Sequence, residues 1–372
     1  LKSTSSNARG LISPDMTVCE NCLSELFSKK SRFYGYPFLN CTQCGPRVTI
    51  TKQLPYDRDK TSMAVFHLCS ACEKDYHDPL NRRYHAQPTA CKKCGPRLSE
   101  TLAAIASNLQ NGKILAIKSL GGYQLLCDAQ NERAIYQLRQ RKNRPEKPFA
   151  TMALNAESAQ LWAEISQQEM ALLTSPERPI VLLKKKNTLF NMLSPKIDTL
   201  GIMLPYTPLH YLIFHALLGF PEGEQWQKKV QNCLLIVTSG NVIDSPIITD
   251  DIEAQLALAP IADEIISYNR DIVTRMDDSV TRVINGAPCF IRRARGYVPI
   301  PIKLAKSIPP TLALGGHLKN TFCITRHDEA FLSQHMGDLG SKAHRDFFHE
   351  TLNHLLKFLG VTPECIAHDC HP

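Results

Sequence analysis

Eight of the chain's 14 cysteines fall into four C-x-x-C pairs: Cys19/Cys22, Cys41/Cys44, Cys69/Cys72 and Cys91/Cys94. A C-x-x-C turn presents two thiolates to one ion, and two such turns complete the tetrahedral shell of a structural zinc. The pattern therefore predicts two zinc ions, each closed by four protein ligands with no open position for catalysis. Spacing alone leaves open whether the pairs close within each copy or are exchanged between copies. The other six, Cys127, Cys233, Cys289, Cys323, Cys365 and Cys370, are scattered. Cysteine density confined to one segment of a 372-residue chain argues against a secreted disulfide scaffold. It favours metal-bound thiolates in a reducing, cytoplasmic setting.

A second group of residues offers positive charge. Residues 139–148 (RQRKNRPEKP) hold Lys142, Arg144 and Lys147 beside two prolines, which place the end of the run in a loop. Cations on a rigid loop suit a polyphosphate, although a charge run by itself is more often a solvated face. Small hydroxyl and amide side chains follow an apolar run at 237–241 (VTSGN), a pattern found in ligand loops at strand carboxyl ends and also in ordinary turns. Further on, 275–280 (RMDDSV) and 291–297 (IRRARGY) place three arginines within four residues, again pointing to an anion. Neither a Walker A loop nor G-x-G-x-x-G is present, so a bound ATP would be held by another scheme. No Ser-His-Asp or H-E-x-x-H constellation is legible, and no single residue is marked as catalytic.

These groups need elements to position them. Shifting the sequence by 50 residues superimposes all four cysteines of one copy on the other, together with Arg32 on Arg82, Tyr34 on Tyr84 and 45–47 on 95–97 (both GPR). Each copy has 18 residues between its pairs and is too small to bury a core, so metal must staple it. The loops interleave Arg32, Arg47, Arg58, Arg82, Arg83 and Arg97 with Tyr34, Tyr36, Tyr56 and Tyr84. Residues of these types can bind nucleic acid; the alternative is pairing within the module. From about residue 101 strands and helices mix. Helices are expected over 101–110, 132–141 and 156–173, and strands over 113–118, 149–154, 180–183 and 234–238. This predicts one α/β domain of about 200 residues. Pro299, Pro301, Pro309 and Pro310 mark a linker. A strand, Gly-Gly, strand pattern then opens residues 311–372, with a helix over 341–359.

The net charge of +8 is mild for this length and does not by itself argue for nucleic acid. No apolar run reaches the roughly 18 to 20 residues of a membrane helix, and 208–220 reads as a core helix. The polar start, residues 1–10, carries no secretory signal, and its opening Leu1 suggests a piece of a longer protein.

Together these segments resemble one family, the carbamoyltransferases of NiFe-hydrogenase maturation (HypF). The resemblance runs from about Pro14 to the end and is carried by PDMTVCENCLSELF, RFYGYPFLNCTQCGPR, NRRYHAQPTACKKCGPRL, RKNRPEKPFATM, VTSGNVIDSPI, NRDIVTRMDDSV, IRRARGYVP and LGGHLKNTFC. It implies an α/β multidomain protein: a linker over 1–13, tandem four-cysteine zinc modules over 14–99, a YrdC-like twisted-sheet domain over 100–305, and the start of a Kae1-like, actin/Hsp70-type ATPase domain over 306–372. The acylphosphatase domain and most of the Kae1-like domain would lie outside this chain. The family's usual D-L-H-P reads Asp369-Cys370-His371-Pro372 here, which keeps the Asp and His.

The same resemblance implies a pathway. Carbamate derived from carbamoyl phosphate condenses with ATP, with Mg²⁺ accompanying it, to give carbamoyl-adenylate and pyrophosphate. The carbamoyl group then passes to the C-terminal cysteine of a partner maturation protein, as precursor of a cyanide ligand. By similarity, Lys142, Arg144 and Lys147 would face phosphates and carbamate. Ser239 and Asn241 would bind the adenylate phosphate or sugar, and Ser279, Arg292 and Arg293 would complete the pocket. A buried channel is expected between the two later domains because carbamate is labile in water. A chain ending here should form the adenylate and not complete the transfer. The alternatives are a threonylcarbamoyl-adenylate synthase of tRNA modification, which shares the YrdC-like fold, and a zinc-containing RNA-binding protein.

Overall fold

The computed structural model describes residues 11–186 and 191–371. The polar start at 1–10 and Pro372 lie outside the described residues.

Each cysteine repeat folds as a short helix between two thiolate turns. Helix α1 (Glu20–Phe27) follows Cys19, and α2 (Ser70–His77) follows Cys69. The chain then turns back so that Gly35 N–H donates to Leu26 O at 2.8 Å, and at the equivalent place His85 N–H donates to Tyr76 O at 3.0 Å.

The α/β domain runs α3 (Leu102–Gln110), β1 (Leu115–Lys118), β2 (Tyr123–Asp128), α4 (Glu132–Arg141), β3 (Ala150–Ala153), α5 (Ala156–Ala159), β4 (Ala163–Glu164), α6 (Gln167–Thr174), β5 (Ile180–Lys185), β6 (Thr199–Met203), α7 (Pro208–Leu217), β7 (Leu234–Ser239), α8 (Asp251–Ala257), β8 (Glu264–Ile266), β9 (Val280–Ile284) and β10 (Ala287–Arg292). Its sheet has the order β10-β9-β5-β6-β3-β7-β2-β1-β8, with β4 added on β5. Pairs β3/β6, β5/β9 and β1/β8 are parallel and the rest antiparallel. Successive strand residues face opposite sides, and both sides are apolar. Ala116, Leu125, Leu234 and Ile236 pack toward α4, α5, α6 and α8. Leu115, Ile117, Leu126, Leu235 and Val237 join a core with α3, α7 and the first zinc module. Covered on both faces, these strands read as continuous apolar runs, which is why β1 and β7 were visible in the sequence. Side-chain caps fix several helix starts. Thr101, Asn131 and Thr207 each accept the N–H three residues on, a contact that stabilises a helix by about 1 kcal/mol.

The last unit is a four-stranded sheet, β11 (Ile302–Ile308), β12 (Thr311–Ala313), β13 (Cys323–Leu332) and β14 (Cys365–Ala367), in the order β11-β13-β12-β14. Helix α9 (Lys342–Leu359) lays Phe347, Phe348, Leu355 and Phe358 into a core that also takes Met276, Ala294 and Val298 from the preceding domain. Gly360, at φ 62, ends it.

Two expectations are corrected. Residues 156–173 are not one helix. Ser166 and Glu169 form a reciprocal capping box that starts α6 afresh, and Ala163 and Glu164 have already left the helix to pair with Lys185 and Lys184. The proline-marked stretch near 299–310 is not an open linker, since Ile302 and Lys303 pair with Ala330 and Glu329. Most of β11 is exposed, and an exposed edge strand carries no alternating pattern to read. The hairpin β9–β10 also went unread, although its turn carries an Asn-Gly signal. Asn285 and Gly286 sit at φ 51 and 75, both positive as a type I′ turn requires. Residues 208–220 do supply a core helix, α7.

Candidate functional site

The two sets of thiolates close within their own copies. Sγ atoms of Cys19, Cys22, Cys41 and Cys44 form one group and those of Cys69, Cys72, Cys91 and Cys94 the other, each within 4.8 Å. Sulfurs bound at 2.3 Å to a tetrahedral zinc stand about 3.8 Å apart. The contacts here match that edge: Cys19–Cys41 and Cys41–Cys44 at 3.7 Å, Cys69–Cys91 at 3.7 Å and Cys91–Cys94 at 3.8 Å. A disulfide would need about 2.0 Å, and all the cysteines are free. The donor sets therefore fit two structural zinc ions. The module arginines are largely spent internally. Arg47 and Arg58 donate to backbone carbonyls, and Arg82 and Arg83 bind Glu25.

Three cations of 139–148, Lys142, Arg144 and Lys147, line a cleft. Lys142 caps α4 and is buried. Its Nζ donates to Ser239 O at 2.7 Å, and to Asn241 O and Asn241 Oδ1 at 2.8 Å each. Burial, with Arg144 next, pulls this ammonium down to about 7. The three acceptors use all three of its protons, so this geometry holds the charged form. Arg139 works as a strut. It donates to Met192 O at 2.8 Å and to Arg144 O at 2.8 Å, and stacks over Phe149, so it fixes the loop and does not face the cleft. Arg144 donates to Thr238 Oγ1 at 3.2 Å, and burial and then Arg139 lower it to about 10. Lys147 is lowered by burial first and Arg144 second.

The opposite lip is the loop after β7. Ser239 Oγ donates to Asn241 Oδ1 at 2.8 Å, and Asn241 Nδ2 donates to Ser245 O at 2.7 Å. Between them Gly240 N–H donates to Tyr123 O at 2.7 Å, and a Cβ there would stand 2.7 Å from that same oxygen. Only glycine lets the loop approach β2 this closely.

Two chambers adjoin at this lip. One of about 440 Å³ holds Lys142, Arg144, Lys147, Ser239 and Asn241. The other, of about 430 Å³, shares Lys147, Ser239, Asn241 and Asp244 with it and adds Asp277 and Arg292, which form an ion pair. Its far wall is Lys319, Gln334, His335, Asp338 and His344, from the last unit. Burial, then the Arg292 cation, holds His335 below its ordinary value. A cavity between the first zinc module and α7 measures only about 40 Å³, too small for a nucleotide.

Six of the eight site residues named from the sequence thus come together: Lys142, Arg144, Lys147, Ser239, Asn241 and Arg292. Ser279 does not reach the cleft. It is fully buried, donates to Arg295 O and accepts Ala294 N–H, both at 2.8 Å. Arg293 also points elsewhere, donating to Tyr297 O at 3.0 Å and Ile300 O at 2.7 Å. The third arginine of that run, Arg295, is buried against Asp278 at 2.6 Å. In a strand-and-turn segment alternate residues face alternate ways, so one of the three faces the cleft. Sequence reasoning missed the wall from 319–344, because it belongs to a unit read as separate.

Three family models match the chain. The HypF finger matches residues 18–51 and 68–100, the Sua5, YciO and YrdC family described as "Telomere recombination" matches 107–294, and the HypF Kae1-like domain matches 306–372. Carbamoyltransferase HypF2 of Cupriavidus necator is 48% identical over 97% of this chain and 47% of its own length. Carbamoyltransferase HypF of Rhizobium leguminosarum is 46% identical over 100% of this chain and 48% of its own. The crystal structure of a full-length HypF in its phosphate- and nucleotide-bound form superimposes with a TM-score of 0.91 at 46% identity, over 97% of this chain and 47% of that one. The chain thus spans about half the length of the curated relatives it matches. Its architecture is a pair of zinc modules, a YrdC/Sua5-like domain and a Kae1-like segment.

Proposed function

We propose that this chain, which belongs to the HypF carbamoyltransferase family, carries the nucleotide-activating step of carbamoyl transfer in NiFe-hydrogenase maturation. The observation that supports it most is the cleft at the carboxyl end of β7, where Lys142, Arg144, Lys147 and Arg292 converge beside Ser239 and Asn241. A relative's structure is described as phosphate- and nucleotide-bound, which agrees with a polyphosphate in such a cleft.

In this reading a carbamate oxygen attacks the α-phosphorus of ATP. A carbamate O–P bond forms, the bond from the α-phosphorus to the bridging oxygen breaks, and pyrophosphate leaves with the electron pair. Negative charge grows on phosphate oxygens, and cations already fixed in place stabilise it without reorganising. Arg144 and Lys147 meet the phosphates, and Lys142 holds the Ser239–Asn241 lip in position. The Mg²⁺ that accompanies ATP would supply further positive charge to the phosphates and would take hard oxygen ligands, of which Asp244 is the cleft carboxylate nearest the Ser239–Asn241 lip, Asp277 being paired with Arg292. The adjoining chamber walled by the Kae1-like segment suits enclosed passage of a labile adenylate toward the transferring domain. The final acceptor is the C-terminal cysteine of a maturation partner.

The test is ATP–pyrophosphate exchange with the zinc-loaded chain, offering carbamate from bicarbonate and ammonia, or threonine. Exchange with carbamate and not threonine is expected, and Arg144→Ala should lower it by about 100-fold. Exchange with threonine alone, or none with either, overturns the reading. Bulk release of free carbamoyl-adenylate in high yield by the full-length protein would argue against enclosed passage.

A further inference from the structure

The 50-residue repeat reappears in space as an exchange of arginines between the modules. Arg32 of the first module donates from Nη1 to Cys72 Sγ of the second at 3.1 Å. Arg82 of the second donates from Nη2 to Cys22 Sγ of the first at 2.9 Å. Each guanidinium is also held by a carboxylate one helical turn beyond that cysteine, Arg32 by Asp75 and Arg82 by Glu25. Adding 50 to Cys22, Glu25 and Arg32 gives Cys72, Asp75 and Arg82. Each contact therefore maps onto its mate with the modules interchanged, as in an isologous dimer built from one chain.

The chemistry of this exchange concerns the metals. Four thiolates around Zn²⁺ carry a net charge of about −2. A charged N–H donor on one sulfur offsets part of that charge and lowers the sulfur's readiness to take a proton or an electrophile, and such outer partners govern metal retention. Both receiving sulfurs are fully buried, so water does not substitute for the arginine. The donor for each shell hangs from a backbone that the other metal staples: Arg32 lies between Cys22 and Cys41, and Arg82 between Cys72 and Cys91.

We infer that the two thiolate shells form one coupled metal unit, in which each zinc is retained with the help of the arginine of the opposite module. Losing either metal frees the loop that carries the other's donor, so the two ions leave together.

The experiment uses the intact zinc-loaded chain, a chromophoric zinc chelator and N-ethylmaleimide, with mass spectrometry locating which cysteines react first. In the unaltered chain both modules should be labelled in one kinetic phase; two independent phases overturn the coupling. Arg32→Gln should speed labelling of Cys69, Cys72, Cys91 and Cys94 by roughly 10-fold, at the site it does not belong to, and Arg82→Gln should do the same for Cys19, Cys22, Cys41 and Cys44. Acceleration confined to the variant's own module, or none, overturns the proposal. Should an arginine variant fail to fold, Asp75→Asn leaves every ligand and both arginine donors in place and loosens Arg32, while its amide oxygen can still accept from Asn81 as Oδ1 does now at 3.0 Å. A smaller acceleration at the second module supports the coupling, and unchanged rates there count against it.

Discussion

Fifty residues apart, Leu26 and Phe27 of the first zinc module correspond to Tyr76 and His77 of the second, and Phe33, Phe38 and Leu39 to Arg83, Pro88 and Thr89. The ligands and turns are the same; the faces are not. The contrast in burial lies on the helices: Leu26 and Phe27 are buried where Tyr76 is half-buried and His77 exposed, while Arg83, Pro88 and Thr89 are buried like their mates but polar or proline. Phe27 lies 5.1 Å from the Trp226 ring, and Val18 N–H donates to Tyr206 O at 3.0 Å. Helix α1 buries Cys22, Leu26 and Phe27, whereas α2 buries only Cys72. The first copy has become part of the α/β core through its helix, whereas the second meets that domain mainly through its tail, where Arg97 N–H donates to Asn269 Oδ1 at 2.7 Å and Ser99 N–H to Ser267 O at 2.9 Å. Duplication supplied two identical staples, and the apolar substitutions on one face decided which of them carries the domain.

The largest effect should come from breaking one shell at a time. Cys41→Ser should lower the urea midpoint of the whole chain and shift Trp226 emission, because a structural zinc contributes on the order of 10 kcal/mol to its module and this module is docked on the sheet. Cys91→Ser should shift Trp226 emission less than Cys41→Ser, because it reaches the docked module only through the loosened Arg82; equal shifts would erase the asymmetry. Next, Phe27→Ala should cost about 3 to 5 kcal/mol in urea unfolding. His77→Ala, at the exposed equivalent position, should stay within about 0.5 kcal/mol.

A third contrast is electrostatic. Burial alone would raise the Glu25 carboxyl, but Arg83 and then Arg82 outweigh it and hold the group below its ordinary 4.5. A carboxylate with a depressed folded-state value contributes stability above 4.5 and loses it as pH falls through that lower value. Glu25→Gln should therefore lower the unfolding midpoint at neutral pH, and the gap should close in acid below pH 4.5; a gap independent of pH would show that shape alone matters there. The smallest effect concerns the shared turn, where Gly35 and His85 sit at φ 60 and 51. Gly35→Ala should cost about 1 to 2 kcal/mol for its left-handed backbone. His85→Gly should be close to neutral in thermal melting, since relief of that strain offsets the lost packing on Tyr76 and Tyr84.

Much of this was legible in the residues. The thiolate spacing gave the metal sites, because coordination geometry is short-ranged and repeats in sequence. Strands β1 and β7 were visible as apolar runs, and the loop cations Lys142, Arg144 and Lys147 lie within six residues. What escaped depended on distance. Which cysteine pairs share a metal, the turn of Ser279 inward and Arg293 outward, and the contribution of His335 to the cleft are all set by segments that meet only after folding. The break in 156–173 escaped for another reason: the pairing of β4 with β5 overrides a local helical pattern. Among the described residues no helix is long and apolar enough to cross a membrane.

The crossed arginines have a practical side for anyone borrowing parts of this protein. A single four-cysteine module, cut out as a small metal-binding tag, would carry a guanidinium with nothing to grip and a thiolate with no donor. The smallest piece worth transplanting is the pair, and the natural places to cut lie outside it, before the first cysteine turn and after the last.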